Sequence, residues 1–198
     1  GAKDDGSARA RLLEAATRLF AEHGLEGTST RDIAKAADLN ISLISYYFGG
    51  KEGLYKTLLT EFANQIKERT EKLIESLDLD QMTRDSFVTA MQAFIRGMIP
   101  MKMKSQPIHV LLQREMMAGL PYARDLCENV FAKILETIVG IYKTGQRKGF
   151  VRPDLNPYVI FFSMIHASDT YLQLSQCKTK IQTQIPVLPE EMDLYVDQ

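Results

Sequence analysis

The stretch from Thr28 to Leu54 constrains this chain more than any other, because it reads as two short helices joined by a tight turn. Ser29 can cap a helix whose third residue is Asp32: its hydroxyl takes an orphan backbone amide, and the carboxylate favours the positive helix end. Ile33, Ala34 and Ala37 then form an inward stripe. Asp38 stands where the chain must reverse through a left-handed residue, a conformation that Gly adopts best and Asn or Asp tolerate next. Asn40 is a second N-cap, and Leu43 or Ile44 with Tyr47 or Phe48 gives the apolar spacing of a helix of only two turns. The pattern predicts a helix-turn-helix.

The flanks strengthen that reading. Ala8 to His23 is an amphipathic helix with Leu12, Ala16, Leu19 and Phe20 on one face and Gly24 as its terminator, supplying the third side of a small core. Lys3 to Gly6 reads as an irregular arm ahead of it. Leu13, Ala15-Ala16, Leu19-Phe20, Gly24, Thr28, Ile33-Ala34, Ala37, Tyr46-Tyr47-Phe48, Lys51-Glu52 and Leu54 follow one another in an order and spacing that resembles the tetracycline-repressor (TetR) family of bacterial transcriptional regulators. The resemblance covers the first quarter of the chain. Asn40, Ile44 and the run Tyr46 to Glu52 look most like the CecR-like branch. Asp38, Ile41 and Ser45 replace the family's usual Gly, Lys and Tyr, which leaves the fold intact and unsettles the familiar base contacts.

The resemblance implies a DNA-binding headpiece over residues 1–52. Ser42, Leu43 and Ser45 would point from the recognition helix into the major groove, where Leu43 can touch a thymine methyl and the serines can donate or accept at base edges. Thr30, Tyr47 and Lys51 match positions that hold phosphates in the family, and Arg31 adds a possible readout beside them. Tyr46 and Phe48 are expected to pack inward. Charge is the awkward quantity: residues 1–52 hold seven Lys or Arg against eight Asp or Glu, a net −1, and the whole chain also carries −1. Affinity for DNA must therefore come from placement, with Arg31, Lys35 and Lys51 forming a phosphate-facing patch while the acids lie elsewhere.

From residue 53 to 198 the chain reads as a second, wholly helical domain, which makes the fold class all-α: a three-helix headpiece and a C-terminal helical ligand-binding and dimerisation domain. Glu52 to Ser76 is a connecting helix with Leu54, Leu58, Phe62 and Ile66 inward. A helix from about Thr83 to Lys104 should be kinked or ended by Pro100, and Pro107 opens the next, which ends near Ala118-Gly119. Tyr122 to Lys148 is long and amphipathic. Asn156 caps a last helix with Pro157 at its first position, apolar around most of its circumference. With the stripe Leu126, Val130, Ile134 and Ile138, its Phe161 and Ile165 suggest a four-helix interface between two copies, as in the family, so a homodimer is expected.

Met91 to Met117 holds six of the nine methionines, and Pro100 and Pro107 interrupt the span, a composition suited to an adaptable cavity for an apolar small molecule. Met91, Phe94, Met98, His109, Leu112, Met116, Phe131, Tyr142 and His166 are candidate wall residues, and Glu115 a polar anchor. Enzymatic motifs are missing, the three histidines lack metal-ligand spacing, and Cys127 and Cys177 make no disulfide framework, so neither cofactor nor metal is expected. There is no membrane-spanning run and no signal-peptide pattern, which fits a cytoplasmic protein. The sequence thus points to a ligand-responsive regulator, a repressor released from double-stranded operator DNA by its effector. The competing reading is a helical ligand-binding or interaction module without operator binding.

Overall fold

A computed structural model describes residues 2–75 and 77–176, so Ser76, Cys177 and the tail from Val187 to Gln198 lie outside the described residues. Every regular element among them is helical: α1 Ala2–His23, α2 Thr30–Ala37, α3 Ser42–Phe48, α4 Lys51–Glu75, α5 Arg84–Lys104, α6 Gln106–Met117, α7 Arg124–Leu126, a π-helical turn Cys127–Phe131, α8 Ala132–Arg147 and α9 Pro157–Gln176. Two expectations change. The arm over Lys3 to Gly6 is the opening of α1, since no proline interrupts it and acidic residues suit a helix N-terminus. Pro100 neither ends nor visibly breaks α5, which runs a further turn to Lys104.

The chain divides into two compact units whose boundaries differ from a cut after residue 52. The first takes the chain up to Lys67 together with Ser105–Phe131; the second takes Glu68–Lys104 and the described residues from Ala132 onward. The headpiece helices therefore share a unit with the first part of α4 and with α6 and α7. Packing explains the assignment, because α1 lies against α2, α3 and α6. Leu12, Ala16, Phe20, Ile33, Ile44, Leu54 and Leu59 are fully or almost fully buried in this unit, and Phe20 meets Tyr55 edge-to-face at 5.2 Å between centroids. Arg114 of α6 donates to the Ala21 carbonyl at 3.2 Å, which places a cation on the negative end of α1.

Glu115 explains the turn after α6. Gly119 and Leu120 both take positive φ, 81° and 63°, and the amides that follow need acceptors away from water. The buried Glu115 carboxylate accepts from Tyr122 N at 2.8 Å and Ala123 N at 3.0 Å. Burial first, and this carboxylate second, push the neighbouring Tyr55 phenol above its ordinary range.

In the second unit, Met82, Phe87, Ala90, Met91, Ile138, Ile141 and Tyr142 form a buried cluster, with Phe94, Phe161 and Met164 packed against it. Beside it α5 and α9 are joined by a buried cation. The Lys102 ammonium donates to Ile165 O at 3.0 Å, Ser168 Oγ at 2.7 Å and Asp169 Oδ1 at 2.5 Å, so each of its three N–H groups has an acceptor. Desolvation outweighs the pairing with Asp169 and holds the lysine below its usual range.

Breaking this pair from one side should be costly. Asp169→Ala is expected to destabilise the chain by roughly 3 kcal/mol, at the low end for a buried pair because Asp169 is partly exposed, and the double substitution Lys102→Met with Asp169→Leu to recover most of that. Urea unfolding measures both. Because the native chain releases the Lys102 proton before the unfolded chain does, this residue makes stability rise with pH from its lowered value up to the ordinary lysine range. That rise should vanish in the double variant.

Candidate nucleic-acid interface

The geometry from Thr28 to Leu54 is fixed by local bonds. Ser29 Oγ accepts from Asp32 N at 3.1 Å while the Asp32 carboxylate accepts from Ser29 N at 3.3 Å, a reciprocal capping box at the start of α2. The Ser29 hydroxyl, and then its amide, hold the Asp32 carboxyl below the usual carboxylate range. Asp38 takes the left-handed conformation, φ 50° and ψ 53°, and Leu39 N reaches back to Ala34 O at 2.9 Å. Arg11 lies against the same residue, 3.4 Å from its carboxylate. Asn40 Oδ1 accepts from Ser42 N at 2.9 Å and from the Ser42 hydroxyl at 2.8 Å, so Asn40 serves the first turn of α3 although Ile41 stands between them in a helical conformation.

The far end of α3 is held by closeness. A β-carbon on Gly53 would run into the Phe48 carbonyl oxygen, so only glycine lets α4 start this near to α3. Lys51 Nζ donates to Leu25 O at 2.7 Å, tying the start of α4 to the loop before α2. Arg9 lies 5.4 Å from the Phe48 ring centroid and pairs with Glu61 at 2.7 Å.

With both ends pinned, α3 buries Ile44 and Phe48 and turns Ser42 and Ser45 to solvent, with Leu43 and Tyr47 half-buried. Thr30 is half-buried at the start of α2, where Arg31 and Lys35 are exposed. Lys51 is half-buried and partly committed to Leu25, although an ammonium keeps further donors. Phe48 packs inward as expected. Tyr46 does not: it is 75% exposed, with its ring edge-to-face on Tyr47 at 4.9 Å. A helix this short has one inward face, which Ile44 and Phe48 fill at a spacing of four, and position 46 falls about 200° away from position 44. That spacing was the signal by which Tyr46 was open to recognition as an outward residue.

The residues proposed for ligand and dimer contacts divide between the two units. His109, Leu112, Glu115, Met116 and Phe131 belong to the first unit, whereas Met91, Phe94, Met98, Tyr142 and His166 belong to the second. Glu115 is spent on backbone amides, His109 meets Phe62 edge-to-face at 4.8 Å, Met116 is 64% exposed and Met117 83%, and His166 is exposed. Met91, Met98 and Tyr142 are buried and Phe94 packs on the core cluster. Among the interface candidates Leu126 and Val130 are half-buried. Ile134 and Ile138 are core residues of their own chain, Phe161 packs against the same core, and Ile165 contributes its carbonyl to Lys102. Among the described side chains of α9, the large apolar ones that stand exposed are Tyr158, Val159 and Phe162.

A capped helix, a left-handed turn and a second helix with an open outer face, braced by α1 and the start of α4, define a helix-turn-helix headpiece. The family described as bacterial regulatory proteins, tetR family, matches residues 12–58. The probable HTH-type transcriptional regulator YttP of Bacillus subtilis is 50% identical over 56 residues, 28% of this chain and 27% of its own length. The regulatory protein RaaS of Mycobacterium tuberculosis is 29% identical over 153 residues, 77% of this chain and 64% of its own. The matched stretch thus spans less than two thirds of either relative. The solved structure of the ketosteroid transcriptional regulator KstR2 of Mycobacterium tuberculosis superposes with a TM-score of 0.74 at 21% identity, covering 96% of this chain and 91% of that one, which establishes a shared fold. Residues 12–58 are thus a headpiece of the kind described for the tetR family of bacterial regulatory proteins.

Two glycine substitutions should act with opposite signs. Gly53→Ala is expected to cost about 1–3 kcal/mol through overpacking against Phe48. Gly97→Ala, on an exposed stretch of α5 with open space at its β position, should stabilise by about 0.5–1 kcal/mol. Urea titration of the two variants against the parent chain decides it.

Proposed function

We propose that this protein is a homodimeric transcriptional regulator that binds double-stranded operator DNA through α2 and α3 and is released from it by an apolar small molecule, acting as a repressor in the bacterial cytoplasm. The observation that carries the reading is the outer face of α3, open to solvent on a helix whose two ends are both fixed. A rigid, exposed helix is what major-groove docking requires. In functional terms residues 1–52 contact DNA, and residues 53–198 bind the effector and dimerise. Arg31, Lys35, Lys51, Thr30 and Tyr47 serve as phosphate contacts, and Ser42, Leu43 and Ser45 face the bases.

Several facts support the finer points. Two of the eight headpiece acids are engaged locally, Asp32 with Ser29 and Asp38 with Arg11, while Arg31 and Lys35 are exposed on α2. Repression is supported by KstR2 of Rhodococcus jostii, named a transcriptional repressor, and an apolar effector by the ketosteroid regulator of like fold. No helix among the described residues is long and apolar enough to cross a membrane. The CecR-like branch rests on the headpiece alone: CecR of Shigella flexneri is 44% identical over 62 residues, against 50% over 56 for the Bacillus relative, so those residues do not choose a branch. For dimerisation, Tyr158, Val159 and Phe162 are apolar side chains that gain from being covered, with Phe162 45% exposed.

Operator-sized duplexes selected by the protein from a random pool should bind with an affinity that falls steeply with salt, and Arg31→Ala or Lys35→Ala should each lower the slope of log affinity against log salt by about 1. A chain that retains no duplex at low salt would instead be the helical interaction module without operator binding.

Phe162→Glu should yield monomers at micromolar concentration with operator affinity reduced at least tenfold, because a two-fold dimer presents two recognition helices about one DNA turn apart. Analytical ultracentrifugation and a binding titration test the two halves separately.

A further inference from the structure

No residue of α3 carries a charge or a carboxamide. Its sequence, Ser42-Leu43-Ile44-Ser45-Tyr46-Tyr47-Phe48, therefore cannot make the bidentate contacts by which Arg or Lys reads guanine and Asn or Gln reads adenine. What it turns outward is of another kind. Tyr46 is 75% exposed, Ile41 just before the helix is 42% exposed, and Ser42 and Ser45 are exposed beside them. Ser42, Ser45 and Tyr46 stand at i, i+3 and i+4 and share one face, opposite Ile44 and Phe48.

The apolar part of that face is large and held in place. The Tyr46 ring rests edge-to-face on Tyr47, 4.9 Å between centroids and 72° between planes, so it projects as a supported plate. Within the major groove, the apolar feature that tells one base pair from another is the C5 methyl of thymine. A serine hydroxyl can both donate and accept, and so rejects few bases.

We propose that α3 reads its operator chiefly through thymine methyl groups, with the Tyr46 ring as the principal reader and Ile41 as a flanking contact. This rests on α3 being the recognition helix. It assigns a specificity-determining role to Tyr46, and it names the chemistry of the operator: thymines at the positions facing α3, in place of the guanine that an arginine there would read. Arg31 on α2 can add a contact at the edge of the site without altering this, because it lies outside α3.

The test removes one methyl at a time. With the intact protein, the tightest duplex from a random pool is resynthesised with 2′-deoxyuridine in place of each thymidine in turn, a change that deletes only the methyl. At one or two positions per half-site the affinity should fall about fourfold, the effect of one lost apolar carbon. Tyr46→Ala should lose a similar factor on the thymine duplex and nothing further on the duplex with uracil at the matching position, since the two changes delete the same contact. Tyr46→Phe should bind as the parent chain does.

Four outcomes overturn the inference. Indifference to uracil at every position does so, as does a Tyr46→Ala loss that multiplies with the uracil loss at every position. A uniform loss in Tyr46→Phe would put the Tyr46 hydroxyl on a phosphate instead. If the pool yields no enriched duplex, the operator-binding reading fails and takes this inference with it, whereas an enriched duplex indifferent to uracil defeats the inference alone. Tyr46 is exposed, so its substitution leaves the core intact, which an unchanged thermal melt verifies.

Discussion

Helices of eight and seven residues do not survive on their own backbone bonds. The organisation of the first unit follows from that constraint. α2 and α3 exist because Ile33, Ala34 and Ala37 of one and Ile44 and Phe48 of the other are buried, on a floor that includes Leu12, Ala16 and Phe20 of α1 and Leu54, Tyr55 and Leu58 of α4. Each of the Ile, Leu and Phe side chains among them contributes on the order of 1.5–3 kcal/mol when fully covered, so losing one or two would release the short helices. Caps do the rest: Ser29 with Asp32, the left-handed Asp38 and the Asn40 carboxamide satisfy backbone groups that a two-turn helix leaves open at both ends.

Rigidity and exposure come from the same arrangement. Gly53 admits the Phe48 carbonyl, and Lys51 and Arg9 fasten the start of α4 and the end of α3 to neighbours, so the outer face of α3 needs no partner within the chain to be ordered. Such a face is pre-organised, and a binding surface already in its bound conformation avoids much of the ordering cost of association. Carboxylates of Asp32, Asp38 and Glu61 are bonded within the unit, and Arg31 and Lys35 stand exposed on α2.

Two buried polar groups hold neighbouring elements in place. Glu115 secures two amides after a pair of left-handed residues, and Lys102 joins α5 to α9 through three acceptors. Both are buried groups with partners, the condition under which burial of a polar side chain is tolerated. The methionines divide likewise. Met91, Met98 and Met101 fill core, while Met103, Met116 and Met117 stand at the surface.

What the sequence by itself determined was local. The positions of Ser29, Asp38, Asn40, Gly24 and Pro157, read with the apolar spacing between them, were enough to predict α2, α3, the last helix and the end of α1 to within a few residues, though not the start of α1, because caps and periodicity act within a turn or two of the residue that causes them. The family resemblance was legible for the same reason, being carried by one continuous stretch. Only the tertiary structure decided that Glu115 and Lys102 are structural and which of the described side chains of α9 are left open. Those outcomes depend on partners far away in the chain, such as Asp169 at a separation of 67 residues from Lys102, and on which apolar surface each helix finds to cover it.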